Sequence, residues 1–257
     1  MRQLTAFTKK ELMQAVRSGR ILILSILFCL FGIMNPAIAK LTPRMLEFLA
    51  EDMAESGITV GTVAVDALTS WTQFFKNMPI LLIVFIIMFS NHLTEEYQKG
   101  TLINVLTKGL KQRSILISKM GVAVSVWTAG YFISFLITYG YNAYFWDNSA
   151  ARHLTFSVFI FYLEGVWLIT AIYLASAFFR SSSAVILTVG GMFCASYFIG
   201  FLPKLKEYVP TDLMNAGELI LGKAEIEIYL APLLVTVVLI LLNIVIYARS
   251  DFLHLCQ

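Results

Sequence analysis

Three histidines, three cysteines and sixteen acidic residues are the groups in this chain with most scope for chemistry, and their spacing assembles little of it. A zinc site needs three or four ligands at short, regular spacing. His92, His153 and His254 are widely separated and expected on different sides of a membrane, and no metal site is expected. Cys29 and Cys194 fall in apolar runs and Cys256 in the tail, so there is no disulfide framework. The sequence has no G-x-x-x-x-G-K-[ST] loop to cradle ATP phosphates and no G-x-S-x-G nucleophile elbow. Glu164, in the apolar run FYLEGVWLIT, is the sharpest single group. A charge at mid-membrane costs roughly 2.5–3.5 kcal/mol on insertion scales, so Glu164 should face a protein interior or a wet cavity. It either lines a translocation path, suited to a cationic substrate, or hydrogen-bonds a neighbouring helix. Asn243 and Asn142 are weaker candidates of the same kind, and such residues more often join helices than bind ligands.

The most informative polar stretch is Glu95–Lys119, EEYQKGTLINVLTKGLKQRSILISK. Lys99, Lys108, Lys111, Arg113 and Lys119 stand there against Glu95 and Glu96, and long apolar runs flank it at 78–91 and 115–139. Leu102, Ile103, Val105 and Leu106 make an apolar cluster on about one and a half helical turns, and Gly109 suits a helix end. The pattern predicts a short amphipathic helix over 95–108 in a loop between two membrane spans. A solvated loop whose lysines merely set orientation is the plain alternative.

The elements that must hold this loop follow from composition. The chain has 257 residues, 58% hydrophobic and 14% charged, far below the roughly 25% charged of a soluble domain. Six stretches reach the roughly 20 apolar residues of a helical span: 21–39, 74–92, 115–145, 154–178, 184–202 and 228–248. The first imitates a signal peptide, with Ala37-Ile38-Ala39 after an apolar run, but it is longer than a signal core and is read as a retained span. The expected fold is all-α, a six-helix membrane protein with both termini cytoplasmic. Residues 1–20 form an interfacial segment and 21–257 one transmembrane domain, with an inner loop at 93–114 and outer loops at 40–73 and 203–227. Within the first outer loop, 44–55 could be a short surface helix. Trp71, Phe74 and Phe75 look like an aromatic anchor at the outer interface. In this topology twelve Lys and Arg fall inside and six outside, with Lys76 at the border, the bias that the positive-inside rule requires.

Glu96-x-x-x-Gly100-Thr101-Leu102, then Leu106, the Gly109-Leu110 break, Arg113, Ile115-Leu116 and Lys119 resemble the signature loop of type-2 ABC exporter permeases. Where that family often carries proline near the break, this chain has Gly109. The resemblance implies that 95–108 is a coupling helix docked into a separate ATP-binding subunit, through Glu96, Lys99, Gly100, Thr101, Leu102, Val105, Leu106 and Lys108. It also implies that residues 1–20 are an elbow helix and that 203–227 forms short re-entrant helices. No cofactor is expected in this chain; ATP and Mg²⁺ would sit on the partner subunit. A second permease copy, identical or homologous, would complete the transporter, with Gly190 and Gly191 as candidate interface residues. Membrane lipid is the remaining expected partner, and nucleic acid is not one. A bacterial cell membrane is implied, as is export of an amphipathic peptide, antibiotic or lipid-like substrate. The alternative is a non-transporting immunity or sensor subunit. Paired glutamates also occur in intramembrane prenyl-protein proteases, but there an arginine usually follows, and Gly100 occupies its place here.

Overall fold

A computed structural model of the chain describes residues 2–54, 66–101, 112–202 and 204–249. The described residues are almost entirely helical. An amphipathic helix α1 (Arg2–Arg17) precedes the first long helix, α2 (Arg20–Ala54). Next come α3 (Ala67–Phe89) and the short α4 (Asn91–Gln98). The remaining long helices are α5 (Gln112–Phe145), α6 (Leu154–Phe178), α7 (Ser182–Ile199) and α8 (Ile226–Arg249). Six helices are long and apolar enough to cross a membrane, in the order that the six apolar runs predict.

Helix α6 is apolar all round, and a helix without a polar face belongs in a core. Most of its length is buried, with α3, α5, α7 and α8 packed around it. Gly165 lets α5 come close there, because a Cβ at that position would overlap the Trp127 ring. Above this contact the rings of Trp127, Tyr131 and Phe161 pack in succession, and Phe74 joins them from α3. Trp71 and Phe74 are fully buried, and the Trp71 indole N–H donates to Asn148 Oδ1 at 3.0 Å. The expected aromatic anchor is therefore core: its rings are shared between α3 and α5 rather than offered to lipid.

Helix α2 differs most from expectation. It continues past Lys40 through Pro36 and Pro43, where the sequence suggested a loop and a separate surface helix. Proline interrupts a helix because it cannot donate to the carbonyl four residues back. For Pro36 that carbonyl is Gly32 O, and the Thr138 hydroxyl of α5 donates to it at 3.0 Å. Gly32 has no side chain, which allows α5 to come this near; a Cβ there would lie 3.1 Å from Ile137 Cβ and from Ser134 O. Asn35 Nδ2 donates to Thr138 Oγ1 at 3.2 Å, and Asn77 Nδ2 of α3 donates to Asn35 Oδ1 at 2.8 Å. Three helices are thus pinned by one polar cluster, which compensates the interruption.

The segment between α7 and α8 folds back on the bundle. Its 3-10 turns at Lys206–Tyr208 and Pro210–Ala216 and the helical turn Gly217–Ile220 bury Leu213, Ala216, Leu219 and Ile220. The second turn packs on α6 and α8, and Tyr229 of α8 donates to Asn215 O at 2.9 Å.

Candidate functional site

At the end of the bundle that carries α1, charge has been buried. Phe7, Glu11 and Ala15 recur every four residues of α1 and form one face, and all three are buried. Leu12, Met13 and Val16 remain exposed on the other side. The two faces place α1 along the bundle, with an apolar edge outward and one carboxylate inward. That carboxylate meets Lys119 of α5, itself fully buried, at 2.7 Å from Nζ to Oε2.

Lys119 stands among three oxygens, two of them hydrogen-bond acceptors. It bonds Glu11 and, at 3.2 Å, the backbone carbonyl of His92, and it lies 3.2 Å from Glu96 Oε1. Lys10 closes the circuit from α1, reaching Glu11 Oε1 at 2.9 Å and Glu96 Oε1 at 3.3 Å. His92 Nε2 lies 3.2 Å from Glu11 Oε2, and its Nδ1 lies 2.7 Å from the Tyr173 hydroxyl of α6. With Tyr173 donating to Nδ1, the ring proton sits on Nε2 and turns toward the carboxylate without closing a hydrogen bond. Two lysines and two glutamates balance, which a buried cluster requires because an unpaired buried charge costs several kcal/mol.

Burial alone would push the Glu11 carboxyl up. The His92 imidazole, the charge of Lys119 and hydrogen bonds from Lys119 and Lys10 outweigh it and hold the group well below the usual carboxylate range. For Lys10, desolvation pulls down, but its contacts with Glu11 and Glu96 win and raise it.

Helix α4 gathers the rest of this end. Arg20, at the start of α2, donates to Asn91 Oδ1 at 2.9 Å and pairs with Glu95 at 3.2 Å, while Lys99 reaches Glu95 from one turn on at 2.6 Å. Thr94 and Ser182 share a hydrogen bond at 3.0 Å, and Gln98 donates to Arg180 O at 3.1 Å. One eight-residue helix therefore touches α1, α2, α5, α6 and the turn into α7. It ends at Gly100, whose φ of 64° is left-handed and favours glycine. The helix predicted over 95–108 is thus interrupted: residues 95–98 close α4 and the chain turns at Gly100.

The predicted docking residues separate accordingly. Glu96 faces inward into the ionic cluster, whereas Lys99 and Thr101 are exposed. Leu102, Val105, Leu106 and Lys108 lie outside the described residues, as does the Gly109 break. The structure brings together four groups that sequence reasoning did not connect: Glu11, His92, Lys119 and Tyr173. A signal was present, because Glu11 is the one acid in the basic segment 1–20 and stands on the buried face of α1, four residues from Phe7 and from Ala15.

In the membrane-spanning part, Glu164 is fully buried, and neither carboxylate oxygen has a hydrogen-bond partner among the described residues. Asn142 is likewise buried with an unpartnered side-chain amide. Asn243 instead donates to Thr170 Oγ1 at 3.2 Å and joins α8 to α6. His153 caps α6 far from His92, and His254 lies outside the described residues. Gly190 and Gly191 are exposed, with open space where a Cβ would project.

Two cavities line up beside α7. One, of about 320 Å³, is bounded by α3, α6 and α7, including Leu82, Ile86, Leu168, Val189 and Gly190. The other, of about 470 Å³, opens toward Tyr197, Lys206, Asp212 and Asn215. Both include Phe193 and Met214, so together they form an apolar groove with a polar mouth. Leu168 stands one turn along α6 from Glu164.

Comparison with known proteins agrees with this arrangement. No curated protein matches the chain. The family model described as "ABC-2 family transporter protein" matches residues 5–203, a span that runs from α1 past the end of α7 and takes in every helix of the ionic junction. A six-span bundle, a loop-bearing junction at one end and a match over most of the length make one statement: the chain belongs to the ABC-2 family of transporter proteins.

Proposed function

We propose that this permease subunit of an ABC transporter exports an amphipathic peptide, antibiotic or lipid-like substrate. Two permease copies would work with two ATP-binding subunits, which hold ATP and Mg²⁺ and dock on the segment after Gly100, at the cytoplasmic face. The observation that carries the reading is the buried junction of Glu11, His92, Glu96 and Lys119. It clamps both limbs of the 95–119 loop, at Glu96 and at Lys119, to α1 and to α6. A push on the loop is then passed to several long helices as one body, because breaking the clamp would strand a buried charge.

The groove beside α7 supports this cargo class. Its walls between α3 and α7 are apolar, while Lys206, Asp212 and Asn215 at the mouth offer both charges and an amide. Such a track favours a molecule with an apolar body and a polar end. Glu164, one turn from the wall residue Leu168, stands behind the path as a candidate contact for a cationic group.

Inside-out vesicles containing the permease and its ATPase subunit should accumulate a fluorescent amphipathic cationic peptide when given ATP. Val189→Trp should reduce uptake at least several-fold while leaving the complex assembled. ATP hydrolysis stimulated by the peptide without any accumulation would instead support the sensor reading.

A further inference from the structure

A third cavity, of about 400 Å³, lies between α2 and α5 at the end of the bundle opposite α1, and the proposed path does not use it. Its lining combines Lys40 and Arg44, one turn apart on α2, with Tyr141 and Phe145, one turn apart on α5. Lys40 Nζ stands 3.6 Å from the centre of the Phe145 ring. Neither Lys40 nor Arg44 has an ion pair with a described carboxylate, and both are exposed. An open notch with two cations on one wall, neither paired among the described residues, and two rings on the other suits an anion that also brings apolar surface.

Depth identifies the anion's source. Lys40 is twenty residues beyond Arg20 on one helix, or about 30 Å at 1.5 Å per residue. That equals the hydrocarbon thickness of a bilayer, about 30 Å. Along α5, Tyr141 is twenty-two residues from Lys119, or about 33 Å. Both walls therefore reach the headgroup layer opposite the junction, which is the outer leaflet in the proposed orientation. Below the cations, Leu30 and Ile33 of α2 and Ile133 and Leu136 of α5 are exposed. This apolar strip continues from the notch toward the membrane centre.

We infer that the notch binds the phosphate of an anionic glycerophospholipid of the outer leaflet. Lys40 and Arg44 hold the phosphate, Tyr141 and Phe145 flank the glycerol region, and an acyl chain lies along the strip below. The site rests on the membrane topology proposed above but not on any cargo, and its lipid is a bound component rather than the exported molecule.

The test uses the full-length permease with its ATPase subunit, purified in detergent and delipidated. Phosphatidylglycerol and phosphatidylcholine are titrated separately, with bound lipid counted by native mass spectrometry. Wild type is expected to hold phosphatidylglycerol in preference to phosphatidylcholine. Lys40→Gln/Arg44→Gln should weaken that binding by roughly 10- to 30-fold, as expected for two interfacial cations at about a tenfold change per 1.4 kcal/mol. Lys40→Arg/Arg44→Lys should keep it, and the control Lys76→Gln/Lys204→Gln should leave it unchanged. Wild-type melting behaviour and ATPase activity in the double glutamine variant would show that the fold is intact. Three results would overturn the inference. One is equal affinity for the two lipids. Another is displacement of phosphatidylglycerol by millimolar inorganic phosphate, which marks a small-anion site. The third is a loss of the paired permease in the glutamine variant, which marks the notch as a contact between copies. Failure of peptide transport alone would bear on the proposed function and not on this site.

Discussion

Glu11 and Lys119 are the two residues on which the junction depends. Glu11→Ala leaves Lys119 buried without its principal partner and should cost about 3–5 kcal/mol, read as a fall in melting temperature of the detergent-purified chain. The double change Glu11→Leu/Lys119→Met should recover much of that stability while lowering ATP-driven transport, because it refills the space but removes the clamp. The pH dependence has a definite sign. Unfolded, the Glu11 carboxyl titrates near its ordinary value of about 4.3, and folded it is held well below that. The unfolded chain therefore binds more protons in the acid range. The stabilisation is complete above the ordinary value and is lost as pH falls toward the folded one. The melting-temperature gap between wild type and Glu11→Gln should be constant from about pH 6 to 8 and should narrow below about pH 4.5. Glu164 poses the opposite case. Buried with no described partner for either oxygen, it lowers stability, so Glu164→Met should raise the melting temperature. A path contact predicts lower transport of a cationic peptide in the same variant; unaltered transport would assign Glu164 no role in the path. Glu164 was legible in the sequence as a lone acid in an apolar run. The Glu11–Lys119 pair was not, because its members are 108 positions apart and each reads locally as an ordinary interfacial charge.

At the level of elements, long apolar runs made the six spanning helices legible, and their ends were less so. The sequence suggests that the first span stops at 39, where the apolar run ends, yet α2 continues through Pro36 and Pro43, residues that ordinarily interrupt a helix. The compensation comes from Thr138, over a hundred residues away, whose hydroxyl meets the carbonyl freed by Pro36. Local pattern holds no trace of that bond. Thr138→Val should therefore cost about 1–3 kcal/mol, the penalty for leaving buried polar groups unmatched, whereas Thr138→Ser should cost much less; thermal melts separate the two. The aromatic cluster at Trp71 was misleading for a related reason. Tryptophan suits an interface and a core alike, and the Asn148 acceptor that brings it inside lies in another turn. For the loop, Gly100 is a half-buried, left-handed turn between the junction and the proposed docking segment. Gly100→Val should strain the left-handed turn by about 1–2 kcal/mol and loosen attachment of the ATPase subunit, measured as faster release from immobilised permease, with the melting temperature of the bundle little changed.

The whole molecule is a bundle built around α6, clamped by charge at one end and pinned by a polar cluster toward the other. Its periphery is incompletely covered. Helix α7 is largely exposed, and the open glycines Gly190 and Gly191 stand beside the apolar groove. A second copy laid against this side would close the groove, which is where the proposed dimer and the proposed path meet. Family membership was legible in the order of small signals from Glu96 to Lys119, and the match over residues 5–203 shows it. We propose that a separate ATP-binding subunit drives this permease through the segment that follows Gly100. The most direct measurement is gentle purification from native membranes with mass spectrometry of the accompanying proteins, for wild type and for Leu102→Asp/Leu106→Asp. A stoichiometric ATP-binding subunit is expected with the wild type, and its loss is expected from a variant that still inserts. A detergent-stable wild-type chain that emerges without such a subunit, or a variant that retains it undiminished, would rule out drive through this segment.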